Sequence, residues 1–125
     1  MQIRLVTVYV DDQDKALAFY TDVLGFAKKD DFSNSGYRWL TVTDGANELQ
    51  LALDSTPAAK AYQEAQHAQN QPAVMFYTSD IGAEYERIKA KGGAFSMPPT
   101  DVTMSTIAML EDGVGNLIQL TELKR

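Results

Sequence analysis
The side chains able to do chemistry are few. The chain has no cysteine and one histidine, His67. That removes disulfides, thiol nucleophiles and thiolate metal sites. A zinc or iron centre draws on several imidazole, thiolate or carboxylate ligands at fixed geometry, and one imidazole is all this chain offers. His67 stands in the Gln/Ala-rich segment AAKAYQEAQHAQNQ. No serine is placed near it for a hydroxyl–imidazole–carboxylate relay, so it is expected on a solvated helix surface. Among the carboxylates Glu48 is the most informative. It opens the run ELQLAL, in which Leu49, Leu51 and Leu53 alternate with Glu48, Gln50 and Ala52. Such alternation is the mark of a half-buried strand. A carboxylate on an apolar sheet face is costly unless it is paired, hydrogen-bonded or protonated. Glu48 therefore has four readings: it meets a ligand, acts as a base with a raised pKa, bonds to Gln119, or lies in water at the sheet rim.

The elements that must position these residues begin with residues 11–26, DDQDKALAFYTDVLGF. Ala16, Leu17, Tyr20, Val23 and Leu24 recur at three- and four-residue steps, which predicts one apolar helical face. Asp12 is the expected N-cap and Gly25 the left-handed C-terminal residue. A strand is predicted before it over residues 3–10, with Val6, Val8 and Val10 under the helix. Extended segments follow over residues 26–32, 37–43 and 48–53, broken by Asn34-Ser35-Gly36 and Asp44-Gly45. Ser55-Thr56-Pro57 starts a connecting helix that ends before Pro72. The order then returns: a strand over 73–78, an Asp80-capped helix ending at Gly92-Gly93, and strands near 94–97, 106–110 and 116–123. Pro98-Pro99 is read as a loop, and Gly113-Val114-Gly115 as a turn. Laying Asp12 on Asp80 aligns the helices, and Asn47-Glu48-Leu49-Gln50-Leu51 lies over Asn116-Leu117-Ile118-Gln119-Leu120. The fold class expected is α+β, two tandem βαβββ modules with curled mixed sheets. One domain is expected over 1–125, with modules at 1–54 and 72–125 joined by a helix at 55–71.

The net charge of −6 argues against a nucleic-acid partner, which is held through clustered Lys and Arg. No apolar run approaches membrane-spanning length and the N-terminus lacks a signal-peptide pattern, so no membrane partner and a cytoplasmic location are expected.

The stretch FYTDVLGF, the ELQL strand, the Asp80-capped helix and the GNLIQL tail together resemble the vicinal oxygen chelate superfamily, which includes glyoxalase I, extradiol dioxygenases and bleomycin-resistance proteins. The resemblance implies that each module forms half a cup and that paired modules, commonly across a homodimer, enclose a site. It also implies metal-ligand positions on the first and last strands of each module. These fall on Leu5, Val74, Glu48 (or Gln50) and Gln119. Leucine and valine cannot ligate, so neither a metal nor any other cofactor is expected. On the cup faces, Tyr9, Tyr37, Trp39, Glu48, Gln50, Phe76 and Gln119 are the expected ligand-binding residues, with Glu48 the best candidate for catalysis. The reading that follows is a metal-independent small-molecule-binding protein similar to the bleomycin-resistance proteins. The alternative is a glyoxalase- or dioxygenase-related enzyme with a non-standard site.

Overall fold
In the computed structural model, which describes residues 1–124, the alternating runs pair as two four-stranded sheets. In the first, β1 (Leu5–Val10) runs parallel to β4 (Glu48–Leu53). Antiparallel β3 (Tyr37–Thr43) and β2 (Ala27–Asn34) follow, giving the order β1-β4-β3-β2. The second repeats it: β5 (Pro72–Tyr77) beside β8 (Leu117–Leu123), then β7 (Ser105–Glu111) and β6 (Ala94–Asp101). The class is α+β with two open mixed sheets. Pro98 and Pro99 do not form a loop but lie within β6, an edge strand whose register slips between Met97 and Thr100. An edge is where a strand tolerates residues that lack an N–H.

Each helix starts at a side-chain cap. The Asp12 carboxylate accepts from the Lys15 amide at 3.0 Å, Thr56 Oγ1 from the Ala59 amide at 3.1 Å, and the Asp80 carboxylate from the Ala83 amide at 3.0 Å. The helices are α1 (Gln13–Ala18), α2 (Pro57–Ala68) and α3 (Ile81–Ala90). The first differs from the regular helix that its periodicity predicts. After Ala18 it widens into a π-helical turn, Phe19–Val23, in which the Leu24 amide reaches back to the Phe19 carbonyl. No helix among the described residues is long and apolar enough to cross a membrane.

One cluster of buried side chains draws on both sheets. It holds Val8, Val10, Tyr20, Leu40, Val42 and Leu51 from the first half and Ile88, Leu110, Ile118 and Leu120 from the second. Val6, expected under the helix, is instead 47% exposed and lines an open cleft between the sheets. Polar contacts cross the two halves as well. Tyr20 Oη donates to Asp112 Oδ2 at 2.8 Å, with the two residues 0% and 1% exposed. Arg87 from α3 donates to the Val23 and Leu24 carbonyls at 3.0 and 2.9 Å, satisfying backbone acceptors at the end of the π turn. Gln63 from α2 is buried and donates to the carbonyls of Tyr9 and Val114, both at 2.9 Å.

Candidate functional site
The register of the first sheet decides which side chains share its outer face. Leu40 and Val42 point into the core. Alternation therefore turns Tyr37, Trp39, Thr41 and Thr43 to the opposite side. Thr41 lies opposite Gln50, which lies opposite Thr7; Thr43 lies opposite Glu48, which lies opposite Leu5. Tyr9 stands beside Ala52, and Phe32 on β2 beside Trp39. The result is a face carrying Tyr9, Phe32, Tyr37 and Trp39 around a buried amide.

That amide is fixed on both sides. Thr7 Oγ1 donates to Gln50 Oε1 at 2.8 Å, and Gln50 Nε2 donates to Tyr37 Oη at 2.8 Å. Gln50 is only 6% exposed, so its orientation is set by these partners and not by solvent. Because the Tyr37 oxygen accepts from Gln50, its own O–H remains available to donate outward, and the ring is exposed. Trp39 is half-buried, its Nε1 aimed at Asp30 Oδ2 at 3.4 Å, while the Asp30 amide donates to Thr41 Oγ1 at 3.2 Å.

Glu48 departs from the picture of a base lodged among apolar side chains. Its side chain is 17% exposed, and Lys29 from β2 reaches Glu48 Oε2 at 2.9 Å. The Lys29 hydrogen bond is the largest of the influences that hold its carboxyl below the usual range. It is a paired, ionised carboxylate, the opposite of a base with a raised pKa, and no bond joins it to Gln119.

The second sheet holds a correction. Phe76 does not join a cup face. It pairs with Leu120, a core residue, and packs edge-on against Phe26 with ring centroids 5.0 Å apart. Val74 pairs likewise with core Ile118, so the residues sharing the face of Gln119 are Met75 and Thr121. Gln119 Nε2 donates to Thr121 Oγ1 at 3.1 Å. His67 is also not simply solvated: its Nε2 lies 2.6 Å from Glu111 Oε1, tying α2 to the end of β7.

The superfamily's metal positions can now be tested against the donors present. Leu5 faces Glu48, and Met75 faces Gln119. One lysine-paired carboxylate and two amides do not make a tight transition-metal site, which takes several deprotonated or imidazole ligands. Among the described residues no three His, Asp or Glu side chains gather. The residues present do not fit the metal.

Comparison with known proteins places this geometry. The pattern of the Glyoxalase/Bleomycin resistance protein/Dioxygenase superfamily matches residues 2–120. The chain belongs to this superfamily. Its relatives include YurT of Bacillus subtilis (strain 168), 43% identical, with 98% of this chain and 99% of YurT covered. The lactoylglutathione lyase of Haemophilus influenzae (strain ATCC 51907 / DSM 11121 / KW20 / Rd) is 28% identical over 99% of this chain and 94% of its own. Among solved structures, TnmS3, described as an antibiotic binding protein from Streptomyces sp. CB03234, superposes with a TM-score of 0.80. It is 27% identical, with 99% of this chain and 97% of that one covered.

Within this superfamily fold the sequence pattern alone misses Lys29 and Asp30. Both belong to the charged run AKKDD, which reads as an exposed edge. Only the bulge between Lys28 and Asp31 turns Lys29 toward Glu48 and Asp30 toward Trp39.

Proposed function
We propose that the chain is a metal-independent small-molecule-binding member of the superfamily, taking its ligand on the aromatic face of the first sheet within a homodimer. The observation that carries the reading is the Thr7–Gln50–Tyr37 chain: a buried amide held in one orientation beneath exposed aromatic rings. A pre-oriented polar group on an apolar wall is how small-molecule sites fix a ligand's pose. The antibiotic-binding description of TnmS3 supports a small-molecule ligand, and the exposed aromatic rings of this face suit one with a planar, apolar part. Exposed Phe32 and Tyr37 on one sheet, and Met75 and Tyr77 on the other, support a second copy as the cover.

Trp39 is the only tryptophan, so its fluorescence reports occupancy of this face directly. Titrating a panel of planar aromatic antibiotics is expected to quench it saturably, before and after exhaustive chelation. Trp39→Phe removes the reporter, so its binding is followed by titration calorimetry; it is expected to weaken binding about three- to tenfold, the scale of an aromatic pair contribution, and to leave the melting temperature nearly unchanged. Loss of several kcal/mol of stability instead, as when a core aromatic is cut back, overturns the assignment.

The kinship to a lactoylglutathione lyase supports a second reading, an enzyme with a non-standard site. Turnover of lactoylglutathione that appears with added zinc or nickel, and disappears in Glu48→Ala, would establish it over the first.

A further inference from the structure
A cavity of ≈ 170 Å³, open to solvent on one side, lies at the seam between the two sheets, between the β3–β4 turn and β5. Its walls are Val6, Phe26, Val42, Leu49, Val74, Met75 and Phe76, with the Phe26 and Phe76 ring centroids 5.0 Å apart. Its rim is the β3–β4 turn, which supplies Thr43, Asp44, Asn47 and Glu48. A cavity of about 150 Å³ is large enough for a molecule the size of benzene, and here the polar rim faces water.

The internal repeat gives a second turn to set beside this one. Aligning Asp44 with Asp112 and Asn47 with Asn116 sets DGAN, four residues, against DGVGN, five. In the longer turn the added length lets Val114 swing fully into the shared core at 0% exposure. In the shorter one the corresponding Ala46 stays exposed. One turn inserts a plug; its counterpart borders an open cavity.

The rim is also specific in charge. Asp44 Oδ1 accepts from the Ala46 and Asn47 amides at 2.9 and 2.7 Å, so both turn bonds fall on one oxygen. The Lys29 bond falls on Glu48 Oε2.

We propose that the seam cavity binds a small primary amine carried on a single-ring or branched-alkyl body, the body between Phe26, Phe76 and the valines, the ammonium at Asp44 and Glu48. The site borders the aromatic face through Thr43 and Glu48 but uses none of its rings, so binding here and binding there can be told apart.

The test is a methyl- and aromatic-resolved NMR titration of the full chain with benzylamine, benzyl alcohol and benzoate. Benzylamine is expected to shift the methyls of Val6, Val42, Leu49 and Val74 and to leave the Trp39 indole N–H unmoved. It should bind about three- to fivefold more tightly than benzyl alcohol, the scale of one partly exposed ion pair, with the advantage eroded by salt. Benzoate should not bind. Val6→Phe at the exposed mouth should abolish the shifts. Asp44→Asn, which keeps an acceptor for the turn, should narrow the gap between amine and alcohol, and being on the exposed turn it serves should Val6→Phe fail to fold; an unchanged gap would overturn the placing of the ammonium. Absence of binding by all three probes, equal binding of benzoate, or shifts centred on Trp39 would each overturn the proposal.

Discussion

Replacing Tyr20 by Phe tests how the two halves are held together. The hydroxyl removed donates at 2.8 Å to a carboxylate as deeply buried as itself. Asp112 also accepts from the Val114 and Asn116 amides at Oδ1, both at 2.9 Å, and from Asn116 Nδ2 at Oδ2 at 2.7 Å. A hydrogen bond to a charged group is worth about 1.5–3 kcal/mol. With an unfolding entropy of about 2.1 cal/mol/K per residue, that is a fall in Tm of about 6–12 °C for this chain length. The pH dependence adds a sharper check. Burial, the largest influence, pushes the Asp112 carboxyl up from 3.8, while the bonds from Asn116, Val114 and Tyr20 oppose it. A raised folded-state pKa contributes stability that is full below the unfolded value and lost as pH rises through the folded one. Tyr20→Phe removes a bond that favours the carboxylate, so it raises Asp112 further. The penalty should therefore be small in acid, where Asp112 is protonated, and full above its folded pKa. Urea unfolding of both proteins across that range measures it. A penalty below about 0.5 kcal/mol near neutral pH, or one that does not change with pH, would refute the assignment of Asp112 as a buried ionised anchor.

Gln63→Ala leaves the Tyr9 and Val114 carbonyls without this donor and is expected to cost about 1–3 kcal/mol by urea unfolding, more than truncation of a solvent-facing glutamine. Gly115→Ala should also destabilise, by about 1–3 kcal/mol, because φ is +105° and the added Cβ would meet the Gln63 side chain. Metal analysis after dialysis is expected to find no stoichiometric zinc, iron or nickel, and a chelator should leave Tm unchanged; one equivalent lost in Glu48→Ala would contradict the donor reading. Sedimentation should give about twice the 13.8 kDa of the chain, and monomer alone at micromolar concentration would remove the homodimer.

Legibility in the sequence follows the strength of local pattern. Residues 37–43 and 48–53 alternate cleanly, and β3 and β4 occupy those same spans. The caps at Asp12, Thr56 and Asp80 are equally local, because a short polar side chain before an apolar-periodic run has one common use. Phe76 lies in AVMFY, where every residue is apolar, so alternation carries no facing signal and only pairing with Ile118 and Leu120 decides the side. The π-helical turn leaves the i, i+3, i+4 spacing of FYTDVLGF nearly intact, which hides the widening. Gln63, Asp112 and His67 belong to the same class of miss: each is polar, and its partner is distant in the chain. The sign of the Glu48 shift was hidden for a related reason, since Lys29 reaches it only through a bulge.

The unlike turns of the repeat divide tolerance for change unevenly along the chain. At Asp112 to Asn116 a carboxylate, a plugging valine and a left-handed glycine are each committed to a neighbour, so lengthening the segment or changing its residues disturbs contacts on both sides of the molecule. At Asp44 to Asn47 the side chains are exposed and the bonds stay within the turn itself. Of the two equivalent hairpin tips one is thus a fastening and its twin is not, and the second is where a peptide tag or a grafted recognition sequence is expected to be carried without loosening the core.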